Sequence, residues 1–269
     1  MKILYLADVV GKPGRMMIKH HLKKIKETYE VDLVIINAEN ASHGFGLSVK
    51  NSKELFAMGI DMMTGGNHSW DKKDILPLLE SEPILRPLNY PRSAPGKGIG
   101  YLEADGEKLV VISLMGYFTM PMVDNPFTMI VSEVERLKNE GYKNIFIDMH
   151  AEATSEKRAI MAMLQGEVSA ICGSHTHIGT DDLEITNGTF YVTDVGLTGC
   201  CDGVIGMSKK EPMDRFLTSV SSKFDVPNSC KKILQGVIFE LKDGKCVDAF
   251  KIKAYDHEDV EITQYARNQ

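Results

Sequence analysis

Ala170-Ile171-Cys172-Gly173-Ser174-His175-Thr176-His177 is the stretch on which the reading of this chain turns. An apolar run too short for a helix meets a glycine and then delivers two histidines two residues apart, the pattern of a strand handing over to a loop. Residues at i and i+2 of an extended chain point the same way. His175 and His177 can therefore both reach one small object off the strand end, and neutral imidazole is the commonest metal ligand. Taken alone, the pair reads equally well as two solvated loop histidines, so the deciding question is whether other strands end in similar groups.

They do. Residues 3–7 read as a buried strand that ends at Asp8, followed by an amphipathic helix with Met17, Leu22 and Ile25 on its apolar face; His20 and His21 ride on it as surface residues. Residues 32–36 form a near-continuous aliphatic run, as a strand covered on both faces requires, and lead into Asn37-Ala38-Glu39-Asn40. After a helix over 48–58, a short strand over 61–64 ends in Gly65-Gly66-Asn67-His68-Ser69-Trp70. Residues 83–98 are rich in proline and glycine and read as an irregular connection. A strand over 109–114 runs into Met115-Gly116-Tyr117-Phe118, whose aromatic pair is expected in core packing, with stacking on a base as the alternative. A helix over 127–140 stops at Gly141, and a strand over 144–149 delivers His150 with Glu152 close behind. A helix over 154–165 returns the chain to the opening stretch.

Downstream, residues 189–194 alternate like a strand and enter a glycine-rich loop through Gly206. A helix over 212–224 follows, then strands over 237–241 and 247–252 joined by an Asp243-Gly244 turn, a closing hairpin. Alternating strands and helices without repeat or linker predict a single α/β domain over residues 1–269, largely parallel at its core, with antiparallel additions and a loop and helix excursion near 197–232.

A net charge of −6 offers no broad basic face, so no extended nucleic acid is expected as a partner. The apolar start is interrupted at Asp8, too early for a signal peptide, and no run approaches the roughly 18 apolar residues of a membrane span. A cytoplasmic protein without membrane contact is expected, and a homo-oligomer is compatible with the sequence. Five cysteines, an odd number without C-x-x-C spacing, predict reduced thiols rather than a disulfide framework.

In α/β sheets, groups at the carboxyl ends of strands meet in one crevice. Here those ends carry Asp8, Glu39 with Asn40, Asn67 with His68, His150, and His175 with His177. Each has a bland reading as a turn former, a helix cap or a satisfied histidine. Five such ends in succession are harder to explain that way. A mixture of carboxylate, carboxamide and imidazole suits borderline divalent metals, and the set exceeds what one ion needs. Two ions sharing a carboxylate would lie about 3.5 to 4 Å apart, activate water and clamp a phosphate. Gly11-Lys12 is no nucleotide loop, because Pro13 follows the lysine and the required earlier glycine is missing. Lys12, Arg15, Ser42 and His43 stand near enough in sequence to steer a phosphate, with solvated surface charge as the plainer account of the two basic residues.

Together the segments Asp8-Val9-Val10-Gly11, Asn37-Ala38-Glu39-Asn40, Gly66-Asn67-His68, Asp148 through Lys157, Gly173-Ser174-His175-Thr176-His177 and Thr193-Asp194-Val195-Gly196 resemble the calcineurin-like metallophosphoesterases. They are closer still to the bacterial branch described as 2′,3′-cyclic-nucleotide 2′-phosphodiesterases. The resemblance implies a four-layer α/β/β/α sandwich with two mixed sheets. It implies a first metal held by Asp8, Glu39, Asn40 and His177 and a second held by Glu39, Asn67, His150 and His175, with Glu39 bridging and iron or manganese favoured over zinc. Two departures stand out: the superfamily's opening Asp-x-His is Asp8-Val9-Val10 here, and its bridging aspartate is Glu39. Asn40 fills the vacated ligand place in this reading. His68 resembles the proton donor to the leaving oxygen, and with Ser69 after it the sequence leaves its orienting partner open. The implied activity is hydrolysis of a small cyclic nucleotide, 2′,3′-cyclic or else 3′,5′-cyclic, by attack of a metal-bound hydroxide. The alternatives are a nuclease or phosphomonoesterase built on the same site, and a non-catalytic metal- or nucleotide-binding regulator.

Overall fold

A computed structural model describes all of residues 1–269. The first third of the chain supplies β1 (Lys2–Leu6), α1 (Gly11–Tyr29), β2 (Leu33–Asn37), α2 (Val49–Ala57), β3 (Met62–Thr64) and the short α3 (Leu78–Ser81). Next come β4 (Ile99–Ala104), β5 (Glu107–Met115), α4 (Pro126–Asn139), β6 (Asn144–His150), α5 (Thr154–Leu164) and β7 (Ala170–Ser174). The remainder forms β8 (Glu184–Thr186), β9 (Thr189–Val192), β10 (Gly199–Cys200), α6 (Lys210–Thr218), β11 (Lys232–Lys242), β12 (Lys245–Tyr255), β13 (Glu261–Tyr265) and β14 (Arg267–Asn268).

The strands make two mixed sheets, one in the order β13-β12-β11-β1-β2-β3 with β10 beside β11, the other β14-β8-β9-β7-β6-β5-β4. Parallel pairing joins β1, β2 and β3 in the first and β5, β6, β7 and β9 in the second. Side chains alternate across each strand. Ile3, Tyr5, Leu33 and Ile35 therefore face Leu109, Val111, Phe146 and Cys172 in a core between the sheets. Their neighbours Leu4, Leu6, Val34 and Ile36 turn outward under Met17, Ile18, Leu22 and Ile25 of α1. On the far side Val110, Ile112, Ile145 and Ile147 lie under Ile130 and Val134 of α4 and Ile160 and Leu164 of α5. The result is the expected α/β/β/α layering.

The closing hairpin forms as read, with Asp243 and Gly244 both at positive φ, as a two-residue turn between twisted strands demands. It does not simply close the fold: β11 pairs antiparallel with β1 and continues the first sheet. The connection over 83–98 is irregular, but the strand expected at 109–114 is half of a hairpin whose other half, β4, starts at once after it. The helix expected at 212–224 is observed as α6, ending earlier at Thr218.

Two expectations are corrected. His21 is not a surface residue: it is buried, with Nε2 2.8 Å from the Asp256 carbonyl oxygen, because the turn after β12 folds over α1. Cys200 and Cys230 form a disulfide with Cα atoms 5.8 Å apart, leaving Cys172, Cys201 and Cys246 as thiols. The antiparallel pairing of β10 with β11 turns the excursion back on itself and brings two positions distant in sequence together. No helix is long and apolar enough to cross a membrane.

Candidate metal centre

The two sheets bring their carboxyl-end residues to one place. Asp8, Glu39 and Asn40, and Asn67 and His68 follow β1, β2 and β3; His150 ends β6, and His175 and His177 follow β7. Beneath them a buried polar network joins the sheets. Asp148 on β6 accepts from Asn37 Nδ2 at 3.0 Å, from Ser174 Oγ at 2.6 Å and from the Thr64 hydroxyl. Burial raises the Asp148 carboxyl above its ordinary range, against the pull of His150 and these donors. Backbone space is equally tight, since a Cβ on Gly66 would lie 2.4 Å from Glu39 Oε2 and from the His150 ring. Only glycine admits the two groups there.

The outer nitrogen of each of three histidines is engaged, which leaves its inner nitrogen bare. His177 Nδ1 lies 2.7 Å from the Ile205 carbonyl oxygen, so it donates. His150 Nδ1 lies 2.9 Å from Ser174 Oγ, whose own proton goes to Asp148. His175 Nε2 lies 3.0 Å from Glu152 Oε2. Such partners fix tautomer and ring orientation in metal sites. The bare nitrogens turn inward: His175 Nδ1 is 3.1 Å from His150 Nε2, which is 3.1 Å from Glu39 Oε1 and 3.0 Å from Asn67 Oδ1. Donor atoms of Glu39, His150 and His175 all fall within 4.8 Å of one another. On the other side His177 Nε2 is 3.6 Å from Asp8 Oδ1 and 3.3 Å from Asn40 Nδ2, which also donates to Glu39 Oε1 at 3.3 Å. Asp8 Oδ1 is buried without a hydrogen-bond partner. Lone pairs pointed at lone pairs and an orphaned carboxylate oxygen are what a cation site leaves behind, so these residues fit divalent metal.

The crowded acids and imidazoles perturb one another. Burial pushes the Asp8 carboxyl up to about 6 despite His177 and His150. At Glu39 burial is outweighed by His150, which holds the carboxyl down at about 2. Burial would lower His150, but Glu39 and Asp8 carry it up to about 9. Burial and then His150 lower His175 to about 3.

Three of the inward-turning residues sit in left-handed backbone: Asp8 (φ 44°), His175 (φ 99°) and His177 (φ 64°). Such strain in side-chain-bearing residues persists only where surroundings impose it. His175 N donates to Asp8 Oδ2 at 2.9 Å. Between the histidines, Thr176 donates through N and Oγ1 to Asp194 Oδ2, which is itself held by the buried Lys157 Nζ at 2.8 Å.

His68 stands at the edge, half-buried, its backbone N donating to Glu39 Oε2 at 2.9 Å and its Nδ1 2.8 Å from Asp71 Oδ2. Asp71, not Ser69, is thus the ring's partner; Ser69 Oγ bonds the backbone of Gly66. Lys12, Arg15 and His43 line a separate cavity of about 540 Å³ with Val226, Pro227 and Lys232. Arg15 is largely committed, with Nε 2.8 Å from Glu54 Oε2 and Nη1 2.6 Å from the Ala41 oxygen. Sequence reading assigned no role to Asp71, Glu152 or Ser174; the spacing of Asp71 three residues after His68 was the one available signal.

Comparison with known proteins shows the chain's family and fold. A family model described as YmdB-like protein matches residues 4–252. The chain is 44% identical over 246 residues, 90% of its length and 92% of the relative's, to a protein of Bacillus subtilis named 2′,3′-cyclic-nucleotide 2′-phosphodiesterase. A crystal structure of a hypothetical protein from Thermus thermophilus superposes with TM-score 0.90 at 38% identity, covering 95% of this chain and 100% of that one. A phosphatase structure from Mycoplasma pneumoniae gives TM-score 0.90 at 35% identity, covering 96% and 94%. The chain therefore belongs to the YmdB-like family of calcineurin-like phosphoesterases.

Proposed function

We propose that this chain is a dinuclear metal-dependent phosphodiesterase that opens 2′,3′-cyclic nucleotides, folded as a single domain over residues 1–269. Membership in the family makes it a phosphoester hydrolase; the metal count, ligand roles and substrate are our reading. The observation that carries it is the inward convergence of three histidine nitrogens whose outer nitrogens are all engaged, together with the unpartnered Asp8 oxygen.

In this reading Asp8, Glu39, Asn40 and His177 hold one cation, Glu39, Asn67, His150 and His175 the other, and Glu39 serves both. Asn40 would take part through its amide oxygen once the side-chain amide turns over from the orientation that directs Nδ2 at His177 and Glu39. Bound there, the cations supply Lewis acidity, neutralising the phosphodiester and acidifying water. A donor set of carboxylate, carboxamide and imidazole suits borderline divalent metals, and the family resemblance favours manganese or iron over zinc among them. Asp194 and Lys157 keep the His175–His177 turn in its strained form. His68, fixed at Nδ1 by Asp71, delivers a proton from Nε2 to the departing ribose oxygen. An anionic substrate is drawn to a locally positive centre in an otherwise acidic protein, which suits a small nucleotide.

Replacing Glu39 by Gln removes the shared charge. Hydrolysis of bis-p-nitrophenyl phosphate and of cyclic nucleotides should fall to background, and elemental mass spectrometry should find about one metal fewer per chain, while the chelated variant and chelated wild type should melt alike. Full activity in Glu39→Gln would refute the shared ligand.

A further inference from the structure

We infer that the cavity walled by Tyr117, Phe118 and Phe127 receives the base of the nucleotide, a reading that rests on the phosphodiesterase proposal above. The chain after β5 runs directly beside the metal-site end of β6, where Gly116 N donates to the His150 oxygen at 3.0 Å. The next two residues carry aromatic rings that the core does not absorb: Tyr117 is 48% and Phe118 60% exposed. Tyr117 stands edge-on to Phe127, ring centroids 5.9 Å apart. The opposite wall is the start of α5, with Ala153, Ser155 and Glu156, and the cavity holds about 430 Å³. Both walls lead away from His150, and Glu152, immediately before Ala153, touches His175. A substrate whose phosphate sits at the histidines thus has its base within reach of this opening.

The wall itself holds the aromatic segment in place. Glu156 is 7% exposed, and its Oε1 accepts from Tyr117 N at 3.0 Å and Phe118 N at 3.3 Å, so it shapes the aromatic segment. Its Oε2 is buried against Gly116, where an added Cβ would meet it at 2.5 Å, so the carboxylate anchors the segment from beneath. Flat aromatic rings supply the complementary face, since proteins bind unpaired bases by stacking them on such side chains. The occupant is therefore a nucleobase with its ring against Phe118.

The test compares adenosine 2′,3′-cyclic phosphate with a 2′,3′-cyclic phosphate of 1-O-methylribose, which lacks a base. In Phe118→Ala and Tyr117→Ala the ratio of kcat/KM for the nucleotide to that for the base-free ester should drop about 5- to 20-fold, mainly through KM, as loss of one stacking contact implies. An unchanged ratio in both variants, including the case where both substrates lose rate equally, overturns the subsite. Calorimetric binding of adenosine 3′-phosphate against ribose 3-phosphate provides a readout that needs no turnover. If wild-type protein hydrolyses neither ester, the phosphodiesterase reading fails. Selective weakening of adenosine 3′-phosphate in Phe118→Ala then still supports the base site, and equal affinities overturn it.

Discussion

His68 is held at both ends, by its backbone N on Glu39 Oε2 and its Nδ1 on Asp71, so its free Nε2 is the atom available for proton transfer. A positioned acid contributes about 10²- to 10⁴-fold in rate when the leaving oxygen needs a proton. A nitrophenolate leaves without one. His68→Ala should therefore cost about 10²- to 10⁴-fold in kcat on a cyclic nucleotide and much less on bis-p-nitrophenyl phosphate, with Asp71→Asn showing a milder form of the same split. Equal losses on the two substrates would remove the proton-donor role. The residues that converge here were legible because polar types recur at successive strand ends, a pattern with few structural reasons to exist. Asp71, Ser174 and Glu152 were not, because what selects them is the direction of a ring nitrogen. That direction follows from backbone angles such as φ 99° at His175, which the sequence does not display.

At the scale of elements, the long buried strands and their covering helices could be read from aliphatic runs and 3.6-residue spacing, whereas β4, β8, β13 and β14 could not. β14 is two residues long and pairs in parallel with β8. β13 is mostly exposed and takes its register from β12. Such strands exist by virtue of distant partners. Helix α1 teaches the same lesson through His21, whose neighbour across the chain, Asp256, decides its burial. Burial lowers the His21 pKa below its usual value; the Asp256 carbonyl opposes this, while His20, His257 and Lys24 add to it. The unfolded chain therefore takes up this proton first as pH falls below about 6.5, which favours unfolding. The contribution is fully present above that pH and lost on the way down to the folded value. Urea midpoints should accordingly fall more steeply between pH 7 and pH 5 in the wild type than in His21→Gln; parallel profiles would mean that the histidine protonates without resistance in the fold.

For the molecule as a whole, the placement of the site has a thermodynamic consequence. Neither sheet can bury its inner face alone: Ile3, Tyr5 and Phe239 of one pack in the same cluster as Val111, Phe146 and Phe190 of the other. The Asp148 network crosses the same boundary, bonding Asn37 and Thr64 to Ser174. The proposed ligands then divide between the two sheets, so a cation bound among them resists separation of the layers. Unfolding should therefore be one cooperative transition, with calorimetric and van't Hoff enthalpies agreeing, although the chain is longer than most that behave so. Chelation should lower the melting temperature without splitting the transition. A cation at a hundred times its Kd contributes about 2.7 kcal/mol to the folded state, which for a chain of this size corresponds to a shift of about 5 to 10 °C. Two resolved transitions in the chelated protein, one for each sheet with its helices, would mean that the layers fold independently and that the metal centre is the contact joining two domains.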